Sequence, residues 1–228
     1  MVRVIAWDLD ETLGRFTALK YGLNGQKVPE WESEPGVRFG IRQALEDLAR
    51  ADWTHVVTSY SDRPYADEVL KRANLAPYFN RVFTQENIGP VDKGGRKVAG
   101  KLYMPVAEHF GLFGDDIGKN LVVVGDLPGD QPIDTPGLVF VHQAQGFRSD
   151  AKVIKNILEI LLRVGEGHIL SGFKALDTRG GRVDFGEGLF GKVEHRPLRM
   201  GGEGSEVPTI YGIEDINYER VLDPLENE

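Results

Sequence analysis

Cysteine is absent from this chain of 228 residues. Its absence excludes disulfide bonds and thiolate metal ligands, so a metal site would have to use carboxylates or the five histidines. A chain without cysteine fits a reducing compartment, and we expect a cytoplasmic protein. The first residues lead directly into an apolar strand pattern and lack the layout of a signal peptide, which supports the same expectation.

Long apolar runs and an excess of basic charge are also missing. No apolar run reaches 18 residues, so we expect neither a membrane span nor a membrane partner. The chain has 27 basic residues against 35 acidic ones and a net charge of −8. Because phosphate backbones attract basic surfaces, this balance argues against non-specific nucleic-acid binding. The hydrophobic content of 41 % is that of an ordinary globular protein.

Short apolar runs alternate with helical patterns from the N-terminus to about residue 163. Several of the runs are continuous rather than alternating, as expected for strands that are covered on both faces. Strands alternating with helices predict an α/β protein with a doubly wound, Rossmann-like parallel sheet. The predicted strands span residues 2–7, 54–58, 81–84, 121–124 and 138–141, and the predicted helices span 37–48, 64–73, 105–111 and 153–161.

Two segments depart from this alternation. Residues 14–34 have no helical periodicity and contain the hairpin signal Asn24-Gly25, so they predict a small flap beside the site or a plain surface loop. Eleven glycines fall between residues 165 and 204, too many for regular helix. We therefore predict a core domain over residues 1–165 and an irregular, β-rich C-terminal appendage over residues 166–228.

Two aspartates, Asp8 and Asp10, follow the first predicted strand. Side chains alternate between faces of an extended chain, so both carboxylates point the same way at the end of that strand. Two carboxylates held so close repel each other unless a cation or a shared proton relieves them. The pair therefore indicates a divalent-metal or acid/base site, and the alternative is a pair of turn-forming aspartates.

A second strand, over residues 121–124, also ends in acidic residues. Asp126 follows it directly and Asp130 comes four residues later, while Gly125 allows a turn or the close approach of a ligand. In a doubly wound sheet this strand can lie beside the first one. A third carboxylate would then join Asp8 and Asp10, and oxygen ligands of this kind suit Mg²⁺.

Three further residues are candidates for contacting a phosphorylated substrate. Thr58 and Ser59 end another predicted strand, where their hydroxyls could donate to a phosphoryl oxygen or could simply cap the next helix. Lys101 precedes the helix near residue 105 and could place a cation at the same edge of the sheet. A solvated surface lysine is the alternative, so its interpretation depends on the neighbouring acidic motifs.

Across about residues 2–145, these motifs together resemble the haloacid dehalogenase superfamily of phosphohydrolases. The order of the motifs is the order found in that family. The family's nucleophile, hydroxyl, lysine and acidic motifs resemble, respectively, Asp8-Leu9-Asp10-Glu11-Thr12, Thr58, Lys101 and Gly125-Asp126 with Asp130. Leu102 stands where the family frequently has proline, so Lys97 is a rival for the lysine motif.

The resemblance implies a specific assignment of roles. Asp8 would attack phosphorus and form an aspartyl-phosphate, while Thr58 and Lys101 would contact the phosphoryl group. Asp10 would protonate the departing alcohol and then activate water, and its presence favours phosphate chemistry over dehalogenation. The implied cofactor is Mg²⁺, with ligands from Asp8, the Asp10 backbone carbonyl and Asp126, and with Asp130 supporting the outer shell.

The short segments between the motifs leave no room for a large helical cap, so the chain resembles the family's capless members, which often act on large substrates. The implied partner is a phosphorylated small molecule or macromolecule. A flap, the appendage or a second subunit of an oligomer could close the site. A phosphomonoester hydrolase is the leading interpretation; a phosphotransferase and a non-catalytic binding module on the same scaffold are the alternatives.

Overall fold

The computed structural model describes residues 2–16, 19, 36–38, 40–90, 100–130 and 132–135, together with the backbone of four later strands. The strands are β1 (Arg3–Asp8), β2 (Gly14–Arg15), β3 (Gly36–Val37), β4 (Trp53–Thr58), β5 (Arg81–Phe83), β6 (Leu121–Gly125), β7 (Val139–His142), β8 (Arg182–Asp184), β9 (Phe190–Pro197) and β10 (Glu206–Tyr211). The helices are α1 (Ile41–Arg50), α2 (Arg63–Arg72), α3 (Gln85–Ile88), α4 (Met104–His109) and α5 (Asp115–Asn120), and 3₁₀ turns lie at Ala76–Tyr78 and Pro128–Asp130.

One sheet organises the described residues, in the strand order β5-β4-β1-β6-β7-β10-β9-β8. The first six strands in this order pair in parallel, and β9 and β8 complete the sheet with antiparallel pairs. From β1 the chain builds outward through β4 and β5, and it then returns to place β6 on the other side of β1. The carboxyl ends of β1 and β6 therefore form the topological switch point where ligands bind in such sheets.

Two hydrophobic layers cover the faces of the sheet at β1, β4, β5 and β6. In β1, Ile5 and Trp7 belong to the layer that includes α1 and α2, whereas Val4 and Ala6 belong to the layer that includes α4. Consecutive side chains of a strand point to opposite faces, so burial on both sides requires a continuous apolar run. The same division occurs in β6. This two-sided burial is why both runs stood out in the sequence.

The α/β class with a parallel, Rossmann-like sheet is confirmed. All five predicted strands exist within one or two residues of their predicted bounds, and three of the predicted helices correspond to α1, α2 and α4. The α1 prediction began too early, because Val37 belongs to β3 and the helix starts at Ile41 after the left-handed Gly40. The prediction of a helix over residues 153–161 falls outside the described part of the chain.

The predicted flap is described only at its base. There β2 and β3 pair antiparallel, with Gly14 opposite Val37, so the two ends of the insertion lie side by side; the Asn24-Gly25 turn is outside the described residues. The predicted appendage contains β8, β9 and β10, and β10 pairs with β7 of the core sheet. The division at residue 165 stays a prediction. None of the helices in the described ranges has the length and apolar character needed to cross a membrane.

His55 is a buried polar residue of β4. Trp7 Nε1 donates to His55 Nδ1 at 3.1 Å, and His55 Nε2 lies 2.9 Å from the Leu45 carbonyl oxygen. Nδ1 must therefore be unprotonated and Nε2 must carry the hydrogen, which is the neutral form of the ring. Burial lowers the pKa of His55 to about 4, although the Leu45 carbonyl acts in the opposite direction.

This lowered pKa predicts a pH dependence of stability. The unfolded chain takes up a proton on His55 near its ordinary pKa, whereas the folded chain does so only near pH 4. Stability is therefore lost as pH falls below the unfolded pKa. The contribution of His55 should make the free energy of unfolding about 2 kcal/mol lower at pH 5 than at pH 7.

Urea unfolding at the two pH values measures this difference. The variant His55→Gln cannot titrate and should lose that part of the pH dependence, whatever its stability at pH 7. An unchanged pH dependence in His55→Gln would contradict the assignment of the neutral ring.

Candidate active site

Asp8 is the last residue of β1 and lies at the switch point of the sheet. Its backbone is in register with Thr58 at the end of β4, and its side chain is only 11 % exposed. Burial raises the pKa of Asp8 well above its usual range; Lys101 lowers it, while Asp130 and Asp126 raise it further. The ionised form of Asp8 therefore depends on nearby positive charge.

Lys101 supplies positive charge from inside the protein. Its Nζ lies 2.6 Å from Asp8 Oδ1, 2.7 Å from Asp130 Oδ1 and 3.0 Å from the Thr58 carbonyl oxygen. These contacts provide one acceptor for each of the three ammonium hydrogens. Burial opposes the charged form, but the carboxylates of Asp8 and Asp130 outweigh it and hold the pKa of Lys101 above its ordinary value. The rival Lys97 lies outside the described residues.

Backbone contacts fix the position of Lys101. The Lys101 carbonyl accepts from Ile133 N at 3.2 Å, and Leu102 N donates to the Ile88 carbonyl at 2.9 Å. Gly100, with φ +114, makes this path possible because a Cβ there would come within 2.4 Å of an Ile133 methyl group. Both hydrogen bonds belong to the peptide group that joins Lys101 to Leu102, so the lysine is anchored on its C-terminal side.

Asp126 and Asp130 follow β6, the strand beside β1, as the sequence predicted. One oxygen each from Asp8, Asp126 and Asp130 can be chosen so that all three lie within 4.8 Å of one another, and all three residues are buried. We call these residues the acidic cluster. A Cβ on Gly125 would come within 2.5 Å of the Asp130 Cβ, so this glycine makes room for a carboxylate of the cluster. Leu127 N donates to Asp130 Oδ2 at 2.9 Å and helps to orient it.

Asp10 lies at the rim of the acidic cluster and is partly exposed. Its Oδ1 is 2.6 Å from the Tyr65 hydroxyl, which reaches it from α2. The loop that carries Asp10 is closed by hydrogen bonds from Glu11 N to the Gly14 carbonyl at 2.8 Å and from Leu13 N to the Leu9 carbonyl at 3.1 Å. Asp8 and Asp10 thus have different surroundings. Asp8 is buried against Lys101, whereas Asp10 lies at the rim.

Thr58 and Ser59 are both buried beside the cluster, but their hydroxyls are engaged with the backbone. Thr58 Oγ1 donates to the Trp7 carbonyl at 3.3 Å, and Ser59 Oγ accepts from Ser61 N at 3.1 Å. Ser59 Oγ thus stabilises the turn before α2, whereas Asp62 caps the helix itself, so neither Thr58 nor Ser59 has the helix-capping role that was the alternative. The Thr58 carbonyl, rather than its hydroxyl, contacts Lys101. A contact between either hydroxyl and a phosphoryl group stays a prediction.

Three residues that the sequence analysis did not single out also shape the site. Thr12 Oγ1 lies between two acidic side chains, 3.2 Å from Asp8 Oδ2 and 3.3 Å from Asp126 Oδ1. Tyr103 OH donates to the Asp130 carbonyl at 2.9 Å. Tyr65 is the third. The sequence does carry a signal for Thr12: it stands four residues after Asp8, and the loop between them closes like a helical turn.

The three carboxylates of the acidic cluster carry more negative charge than the Lys101 ammonium can neutralise. Three buried carboxylates face one ammonium group, which leaves two negative charges when all of these groups are ionised. Isolated buried charges are costly, so the ionised cluster requires more positive charge. Oxygen ligands in this number, with no histidine or thiolate among them, fit the preference of Mg²⁺. The residues present therefore fit the cofactor that the sequence implied.

Comparison with known proteins gives similarity in structure alone. No protein-family model and no curated protein sequence matches the chain. Among solved structures, an uncharacterized protein from Listeria monocytogenes serotype 4b matches with a TM-score of 0.50 and 14 % identity, over 72 % of this chain and 99 % of that chain. At this identity the likeness shows a shared fold.

Two other solved structures that match are described as a predicted phosphatase and as a hydrolase. A predicted phosphatase from Clostridium acetobutylicum has a TM-score of 0.48 and 15 % identity, over 72 % of this chain and 99 % of that one. A HAD-superfamily hydrolase from Ehrlichia chaffeensis has a TM-score of 0.45 and 13 % identity, over 71 % and 99 %. The structural neighbours thus include proteins that carry the name of the family whose motifs the sequence resembles, whereas the capless type stays a prediction.

The burial of Lys101 among carboxylates predicts a large effect of removing its charge. The variant Lys101→Met should lower the free energy of unfolding by about 3–5 kcal/mol at pH 7, because it leaves buried carboxylates without their cation. Urea unfolding in the presence of a metal chelator measures the change. Lys119→Met removes an exposed lysine from α5 and should change stability by less than about 0.5 kcal/mol. Equal effects of the two substitutions would contradict the role assigned to Lys101.

Proposed function

We propose that this chain is a member of the haloacid dehalogenase superfamily and a Mg²⁺-dependent phosphomonoester hydrolase that acts through an aspartyl-phosphate on Asp8. The observation that carries the proposal is the acidic cluster, two of whose carboxylates contact Lys101, located at the switch point of a parallel sheet. A second carboxylate, Asp10, lies two residues beyond Asp8 at the rim. Together these groups supply a nucleophile, a cation and a candidate acid/base.

Asp8 is the nucleophile in this proposal. A carboxylate oxygen of Asp8 forms a bond to phosphorus while the bond from phosphorus to the leaving oxygen breaks. Lys101 lies 2.6 Å from Asp8 Oδ1, so its ammonium is positioned to reduce the repulsion between the carboxylate and an approaching phosphate dianion. In the first step Lys101 contributes charge and does not transfer a proton, in keeping with its raised pKa.

Mg²⁺ would be held by Asp8, Asp126 and the backbone carbonyl of Asp10, with Asp130 supporting this set. When bound, it supplies Lewis-acid stabilisation of charge on the phosphoryl oxygens. The contacts of Asp130 with Lys101 and with Leu127 N restrict where its carboxylate can lie. Such restraint keeps the neighbouring oxygens in place for a cation.

Asp10 acts as the acid and then as the base. As the leaving oxygen departs, protonated Asp10 gives it a proton, so the first product is an alcohol. The ionised Asp10 then accepts a proton from water, and the water oxygen attacks phosphorus. The bond between phosphorus and the Asp8 oxygen breaks, which returns both aspartates to their starting states and releases inorganic phosphate.

The substrate belongs to the phosphorylated compounds, as a small molecule or as a site on a macromolecule. Within the described core, the segments between the motifs hold short helices and loops. This supports a capless arrangement in which the rim around Asp10 is reached by large substrates. The division into residues 1–165 and 166–228 and a cytoplasmic location belong to the same proposal.

Release of phosphate from p-nitrophenyl phosphate tests the activity. With Mg²⁺ present, Asp8→Asn should reduce turnover to the level of the buffer because it removes the nucleophile. Asp10→Asn should reduce kcat by about 10²–10⁴-fold because it removes the acid/base. Asp67→Asn, which changes an exposed aspartate of α2 paired with Arg63, is the matched control and should retain wild-type turnover.

The outcomes separate the candidate functions. Wild-type protein that is folded and inactive would favour a binding module and contradict the proposal. Faster transfer to added glycerol than to water would identify a phosphotransferase. In that case the assignment of Asp8 would stand and the assignment of hydrolysis would not.

Metal binding has a readout that is independent of activity. Mg²⁺ at ten times its dissociation constant should raise the free energy of unfolding of the wild type by about 1.4 kcal/mol, because it binds the folded state only. Asp126→Asn should abolish most of this stabilisation, whereas Asp115→Asn, at an exposed position of α5, should preserve it. The same Mg²⁺ effect in Asp126→Asn as in the wild type would place the metal elsewhere.

A further inference from the structure

The Tyr65 side chain extends from α2, through the hydrophobic core, to the rim of the site. Its ring is buried against the layer that includes α1, and its hydroxyl lies 2.6 Å from Asp10 Oδ1 and 3.0 Å from the Phe16 carbonyl oxygen. A hydroxyl placed between a catalytic carboxylate and a backbone carbonyl can restrict the orientation of that carboxylate.

The backbone of Tyr65 is itself fixed. The Asp62 side chain caps α2 by accepting from Tyr65 N at 2.9 Å, and Pro64 occupies the first turn of the helix. Because α2 packs its apolar face into the core, the hydroxyl projects from a rigid element rather than from a loop. Groups on rigid elements hold a catalytic side chain in place more accurately than groups on loops.

The two acceptors near the hydroxyl also bear on where the protons lie. One hydroxyl has one hydrogen, so it cannot donate fully to both Asp10 Oδ1 and the Phe16 carbonyl. The shorter contact, to Asp10 Oδ1, takes that hydrogen. When Asp10 is protonated on Oδ2, Oδ1 is the carbonyl oxygen of the acid and accepts the Tyr65 hydrogen, and an ionised Asp10 accepts the same hydrogen through Oδ1. The hydrogen bond from Tyr65 is thus kept in both protonation states of Asp10.

We propose that Tyr65 is the positioning residue for Asp10, holding its carboxyl group through Oδ1 so that Oδ2 faces the leaving oxygen in the first step and the attacking water in the second. This inference rests on the proposed function and adds a residue to it. Burial, together with the Asp10 carboxylate, raises the pKa of the Tyr65 hydroxyl, so the group remains a neutral hydrogen-bond donor.

If Tyr65 positions Asp10, the loss of activity on removing its hydroxyl should depend on the leaving group of the substrate. A good leaving group such as p-nitrophenolate departs without a proton, whereas a poor one such as phenolate needs the acid. A positioning defect at Asp10 should therefore grow as the leaving group becomes worse. A general loosening of the core would slow all substrates alike.

The experiment compares Tyr65→Phe with the wild type on p-nitrophenyl, phenyl and 4-methoxyphenyl phosphate, which have similar shapes. We expect kcat/KM to fall less than about threefold for the first substrate and about tenfold or more for the other two. Tyr78→Phe is the matched control, since it removes a tyrosine hydroxyl that donates to Glu46 of α1 at 3.1 Å, and it should behave as wild type. Far-UV circular dichroism checks that each variant is folded.

A double variant tests whether Tyr65 acts through Asp10. Adding Tyr65→Phe to Asp10→Asn should change kcat/KM by less than about threefold, because the group being positioned is already gone. Additive losses, an equal loss for all three substrates, or no loss would each overturn the inference while leaving the proposed function in place. An inactive, folded wild type would overturn the proposed function and this inference with it.

Discussion

The ammonium group of Lys101 among buried carboxylates is the interaction on which the rest of the site depends. Without it, the ends of β1 and β6 would bring like charges together in a desolvated place. The fold meets this constraint by anchoring the lysine through both hydrogen bonds of the Lys101–Leu102 peptide group, with Gly100 allowing the close approach to Ile133. Because this compensation is incomplete, the acidic cluster retains an attraction for a further cation.

The core of the fold could be predicted because two-sided burial leaves a strong pattern. Strands β1 and β6 are continuous apolar runs, and the alternation of strands and helices fixes a parallel sheet. The short helices α3 and α5 could not be predicted in the same way, since helices of four and six residues are too short for apolar periodicity to appear. Their starts depend on local contacts instead, such as the reciprocal hydrogen bonds between Thr84 and Asn87.

The acidic residues of the site were predictable because they stand at or shortly after the ends of two buried strands. To predict that Asp8 and Asp126 lie together, it was enough to expect that their strands are neighbours. The pairing of β1 with β6 confirms that expectation. Tyr65 was not predictable from its own surroundings. In the sequence it is one member of the apolar stripe of α2, and periodicity reports which side of a helix a residue occupies but not what its hydroxyl reaches in another element. The backbone engagement of Thr58 and Ser59 is equally a matter of three-dimensional contact.

The outermost strands of the described sheet, β5 and β8, have three residues each. An edge strand exposes unpaired N–H and carbonyl groups, and a long one offers a template to which another chain can add by main-chain pairing. With three residues each, β5 and β8 offer little length for such pairing. Each of these two strands is therefore a poor starting point for ordered aggregation.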